Sequence, residues 1–211
     1  MSEQAKSTAD AAKDAVASEN IQEQIKNITL TALSERQLDK DNIKQVVSAV
    51  LQGVTEGVGD SAERMKPQFK EALSGIDSAL SKSAIAAKLA TEEAAGKVEN
   101  FAKQDVKQAM EQMESLEDLF IDTVNTVASQ SNKLASSALT ELADHFKNSG
   151  TESGKEALEA VNSLKSLFLE TGKGSIDELA SATQTAGNQF AQIASGILSG
   201  MAEAVKPKSK D

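Results

Sequence analysis

His145 is the only histidine in the 211-residue chain, and Glu141 precedes it by four positions, one turn earlier on the same helical face. A histidine–carboxylate pair is the smallest unit of acid–base or metal chemistry, but either use needs further partners. There is no second histidine and no cysteine to supply them. His145 therefore reads as a surface or edge histidine. A second candidate is the acidic run Glu111, Glu114, Glu117, Asp118 and Asp122, whose carboxylates could attract a divalent cation. Carboxylate ladders at helical spacing more often form a solvated face, and the paired Glu-x-x-His elements of di-metal bundles are missing. Serine is abundant but has no histidine to activate it as a nucleophile. Gly172-x-Gly174 lacks the following Lys-Ser/Thr of a phosphate loop. The chemistry on offer is thin: no catalytic residue, metal site or cofactor is assigned, and the chain is read as a non-enzyme.

Composition excludes further classes. Net charge is −10, so nucleic acid is not an expected partner, because its phosphates would be repelled. Trp and Tyr are absent and Phe numbers 6, which leaves few parts for base-stacking platforms or aromatic belts. No segment approaches the ~18 continuous apolar residues of a transmembrane helix. The start of the chain lacks the basic-then-apolar layout of a secretory signal, and the lack of cysteine fits a reducing cytoplasm.

The elements behind these residues are all helical. Alanine occurs 32 times, against 46 residues of Phe, Leu, Ile and Val together, which favours helices in close contact over a thick mixed core. Residues 1–17 carry Ala5, Ala9, Ala12 and Val16 at helical spacing, a weak stripe expected to leave a frayed helix or mobile arm. Ser18 is a candidate N-cap for a helix bearing Ile21, Ile25, Ile28 and Leu33. After a polar turn at 35–40, Asp39 or Asp41 could cap the next helix. That helix has the clearest stripe in the chain: Ile43, Val46, Val47, Val50, Leu51, Val54 and Val58. Gly53, Gly57 and Gly59 weaken its end toward a hinge near 57–66. The Gly53-x-x-x-Gly57 and Gly196-x-x-x-Gly200 spacings mark close helix contacts in water, since the second segment is too polar to span a membrane.

From about Pro67 to Phe101 a long helix is expected, with Phe69, Leu73, Ile76 and Leu80 giving way to Ala87, Ala90 and Ala94 along one heptad-like seam. A still longer one should follow Gln104-Asp105, with Val106, Met113, Leu116, Phe120, Val124, Val127, Leu134, Ala138 and Leu142 on its seam, ending near Gly150. At 1.5 Å per residue these would be roughly 50 and 65 Å long. A compact domain of this size is only ~35 Å across, so an elongated molecule is expected. Leu158, Val161, Leu164 and Phe168 mark a shorter helix. Ser175 and Glu178 make a capping box for a last one, with Ile176, Leu179, Ala186, Phe190, Ile193, Ile197, Met201 and Val205. Residues 206–211 read as a disordered tail. The expectation is an all-α, elongated bundle of about six amphipathic helices over 18–205, its two long central helices forming an antiparallel coiled-coil-like hairpin.

Several stretches carry a resemblance. They are Asn27 to Leu33, Val46 to Gly57, Ala72 to Leu80, Leu89 to Gly96, Gln104 to Lys107, Ser115 to Phe120 and Phe190 to Leu198. Together they resemble an uncharacterised bacterial all-helical family, a domain of unknown function, over roughly residues 20–205. The resemblance implies helices and carries no activity. More loosely, the alanine-rich amphipathic character is similar to phasins, which coat bacterial polyester storage granules. That second likeness is compositional.

The function expected from these readings is a cytoplasmic, non-enzymatic helical scaffold or surface-coating protein. It would self-associate as a homo-oligomer, with a hydrophobic granule or a protein as partner. Its packing seam or interaction face would comprise Ile43, Val47, Val50, Val54, Phe69, Leu73, Ile76, Leu80, Phe101, Leu116, Phe120, Val124, Phe190 and Ile197. The alternative is a conditionally folded stress-protective protein, suggested by the mean hydropathy of −0.33.

Overall fold

In the computed structural model, residues 2–36, 38–59, 62–97 and 103–170 are described. Among them every regular element is a helix, as the sequence predicts. The helices are α1 (Glu3–Ala15), α2 (Ile21–Ser34), α3 (Lys40–Gly57), α4 (Ala62–Lys97), α5 (Lys103–Glu114), α6 (Leu116–Gln130), α7 (Lys133–Ser149) and α8 (Glu152–Glu170). The final helix expected over 176–205, the 206–211 tail, Phe101, Phe190 and Ile197 lie outside the described residues, as does the side chain of Phe168.

The helix ends follow from local chemistry. Asp39 caps α3: its Oδ1 accepts the backbone N–H of Asn42 at 2.8 Å, and its Oδ2 accepts from the Asn42 side chain. Leu38 and Ile43 flank that cap five residues apart, and both are buried, the arrangement of a hydrophobic staple. Gly150 ends α7 at φ 76°, a left-handed conformation that costs glycine little.

α4 is the hub. It packs chiefly against α2 and α8, with α7, α5 and α3 also touching it. Phe69, Leu73, Ile76 and Leu80 are all buried, and so are Ala72, Ala79, Ala84, Ala86, Ala87 and Ala90 on adjoining faces. A helix covered on several sides cannot be strongly amphipathic, and small residues let its neighbours come close. One example is Gly75, where a Cβ would lie 2.4 Å from the Gln22 carbonyl oxygen of α2.

Residues 1–17 differ from the expected arm. α1 is a helix capped by Ser2, and Ala5, Ala9, Ala12 and Ala15 are buried. The reason lies on α3, where Gly53 faces Ala9 and Gly57 faces Lys13. A Cβ at Gly53 would sit 2.0 Å from the Ala9 carbonyl oxygen, so this is contact of backbone with backbone. The close-contact reading of Gly53-x-x-x-Gly57 holds in this pair, and the two helices run parallel. Each alanine methyl buried here contributes on the order of 0.8 kcal/mol.

The second long helix is not continuous. Ser115 donates its hydroxyl to the carbonyls of Glu111 and Gln112, which separates α5 from α6 by a kink. At Ser131-Asn132 the backbone turns extended, and the Asn132 side chain caps α7 by accepting the Ala135 N–H. α7 therefore folds back on α6. Phe120 and Phe146 meet edge to face at 5.8 Å, and Glu114 pairs with Lys165 at 3.2 Å. The antiparallel hairpin is thus built by α5–α6 against α7–α8, and not by two long central helices. α4 runs parallel to α7–α8, as Lys66 pairs with Glu141 and Asp77 with residues 152–153.

Candidate functional site

The polar groups that converge inside this fold do so where α8 begins. Asp77 sits in the middle of α4 between Ile76 and the Ala79–Leu80 pair, and is only 5% exposed. Its Oδ2 accepts the backbone N–H of Glu152 at 2.8 Å, and its Oδ1 accepts that of Ser153 at 2.9 Å. Glu117, in the first turn of α6, reaches the same place. Its Oε1 accepts the Thr151 backbone N–H at 2.8 Å and the Thr151 hydroxyl at 2.9 Å. The Thr151 Oγ1 in turn accepts the Gly154 N–H at 2.8 Å and the Ser153 hydroxyl at 3.2 Å. Ser78 donates to the Glu152 carboxylate at 2.8 Å.

Thr151, Glu152, Ser153 and Gly154 supply the backbone N–H groups that no intrahelical carbonyl can take at the start of α8. Each is met by a side-chain oxygen, and two of the three acceptor groups are carboxylates. Negative charge at a helix N-terminus is favoured by the macrodipole, and these charge-assisted bonds are stronger than neutral ones. Gly154 makes the approach feasible, because a Cβ there would lie 2.7 Å from the Glu117 carboxyl carbon. The node joins α4, α6 and α8 at the level where α5–α6 and α7–α8 both bend. It is suited to holding a helix junction. As a general base either carboxylate would first have to release the N–H groups it holds.

The other sequence candidates are dispersed. Glu141 pairs with Lys66 of α4, and exposed His145 stacks obliquely on its neighbour Phe146 at 6.1 Å. Of the acidic run, Glu117 turns inward to the node while Glu114 pairs with Lys165 and Asp118 and Asp122 are exposed. Among the described residues no three His, Cys, Asp or Glu side chains come together as a metal site. No described helix is long and apolar enough to cross a membrane.

Within the proposed seam, Ile43, Val47, Val50, Val54, Phe69, Leu73, Ile76, Leu80, Leu116, Phe120 and Val124 are all buried, and all belong to one core cluster. Leu134 and Leu158, read as inward-facing, are instead 51% and 62% exposed, and Leu139 and Ala157 take the inner positions. An apolar crevice with a cavity volume of only about 20 Å³ opens between α3, α4, α5 and α6, lined by Leu38, Ile43, Ala84, Ala87, Ala109 and Met113. It admits little more than a water-sized guest.

Sequence reasoning passed over Asp77 and Thr151. The available signal was a carboxylate embedded in an apolar run, with a Gly-Thr-Glu-Ser helix start elsewhere that needed acceptors.

The chain belongs to a family of unknown function, DUF6781, whose model matches residues 1–207. No curated protein and no solved structure matches it.

Proposed function

We propose that this protein is a non-enzymatic helical scaffold that works by association, first with further copies of itself. The observation that carries this reading is the use made of its inward-facing carboxylates. Asp77 and Glu117 both hold the start of α8, so the polar interior serves rigidity. Within the chain α1 and α3 already pair closely in parallel through Gly53 and Gly57, which adds to that rigidity. Cross-linking and sedimentation across a concentration series test the reading. Concentration-dependent oligomers support it, and a compact monomer throughout opposes it.

Coating of a hydrophobic granule is the more specialised form of the same proposal. It would need the buried seams of α3, α4 and α6 to open onto the apolar surface, and their burial within one chain favours the scaffold form. Co-sedimentation with polyester granules separates the two. Circular dichroism tests the conditionally folded alternative, which calls for a disordered chain in dilute buffer. A cooperative melt from a helical state removes it.

A further inference from the structure

Two consecutive helices on α4, α7 and α8, are held to the molecule in different ways. Asp77 and Glu117 pin the start of α8 through the bonds described above. The ends of α7 are closed locally instead. Its own cap, Asn132, serves the first turn, and the Gly150 N–H donates to the Phe146 carbonyl at the last. Among the described residues, the side-chain bond from α7 to another helix is the Lys66–Glu141 ion pair, whose side chains are about half exposed. Pairs so exposed contribute little. What seats α7 is the burial of Ala135, Leu139, Leu142 and Ala143, with Phe146 edge-on to Phe120. Half of that set is alanine, whereas α6 beneath it buries Leu116, Phe120, Ile121, Val124 and Val127.

The backbone is already broken on both sides of α7. Ser131 and Asn132 are extended, at ψ 166° and 163°, and Gly150 stands at φ 76°. The helical ladders of α6 and α8 stop at these joints, so α7 can leave its seat with both ladders intact. A helix of 17 residues is marginal in water without an apolar partner, so leaving the seat means melting. We propose that α7 is a strap that melts and reforms as one unit while α6 and α8 stay in place, uncovering Phe120 on α6. Contiguous segments bounded in this way open at a lower free energy than the whole chain. The inference goes beyond self-association and does not depend on it.

Native-state hydrogen exchange of the full chain in low urea tests the strap. The amides in the body of α7 should converge on one level of protection, at least about tenfold below that of the slowest amides of α4 and α8. Their shared urea dependence should be shallower than that of those slowest amides, because a smaller surface is exposed. The chain has no cysteine, so Ala143→Cys on α7 and Ala160→Cys on α8, both at buried alanines, give a second readout. A thiol reagent should modify the Ala143→Cys variant at least about tenfold faster than the Ala160→Cys variant. Should α7 match the slowest amides in protection and urea dependence, or the two variants be modified equally, α7 opens only with the whole chain and the strap is overturned. Amides of α7 that differ from one another and ignore urea would overturn it too, because no unit would be opening.

Discussion

Asp77 Oδ1 on α4 accepts the backbone N–H of Ser153 on α8 at 2.9 Å, across 76 positions of sequence. A buried carboxylate is tolerated because it takes two N–H groups that would otherwise be unpaired. The same two bonds fix where α8 begins along α4. Replacing Asp77 by Asn removes the charge and turns a donor toward a donor. Asp77→Asn should cost about 1.5–3 kcal/mol, the range for bonds to a charged group, read from the urea midpoint. Hydrogen exchange should quicken first at Glu152 and Ser153.

Gly154 and Glu117 form a second dependent pair. A methyl at Gly154 would stand 2.7 Å from the Glu117 carboxyl carbon, so Gly154→Ala must push that carboxylate off Thr151. The usual helix gain on replacing glycine, up to about 1 kcal/mol, is opposed by a loss of about 1–3 kcal/mol at the node. Gly154→Ala should be net destabilising in wild type and stabilising by up to about 1 kcal/mol when Glu117 is already Ala. A double-mutant cycle on denaturation midpoints measures that coupling.

Gly53 and Gly59 should respond in opposite directions to the same substitution. At Gly53 a Cβ meets the Ala9 carbonyl at 2.0 Å, while at Gly59 nothing lies within 4 Å. Gly53→Ala should destabilise by about 1–3 kcal/mol and raise amide exchange along α1. Gly59→Ala should stabilise by about 0.4–1 kcal/mol through the unfolded chain.

Much of this architecture was legible in the sequence. Steps of three and four from Ile43 to Val54 and from Phe69 to Leu80 placed α3 and the first half of α4, and of the two cap candidates, Asp39 and Asp41, Asp39 is the one that caps α3. The breaks within 104–150 were harder to read because no glycine or proline marks them. Ser115 acts by hydrogen bonding back to the preceding turn, and Asn132 acts as a cap only because its backbone turns extended. The seam appeared to run from Val127 to Leu134 by seven residues, yet the chain reverses between them and leaves Leu134 exposed. α1 was undervalued for a related reason. Its alanine stripe is weak by itself, and the glycines that make it effective lie on another helix. The node at Asp77 depends on a contact between residues far apart in sequence, and local patterning cannot show it.

Two leucines on the second hairpin arm test the revised packing. Leu139 is fully buried and Leu158 is exposed, although the helical pattern of the sequence had turned Leu158 inward. Leu139→Ala should cost about 2–5 kcal/mol, and Leu158→Ala should stay within about 0.5 kcal/mol. Thermal and urea unfolding of the two variants decide between the arrangements.

Association is the claim on which the functional reading depends, and molar mass in solution addresses it most directly. Sedimentation equilibrium of the full chain over a wide concentration range should show the mass rising from 22.2 kDa toward at least twice that value. A constant 22.2 kDa from the lowest to the highest concentration would contradict it.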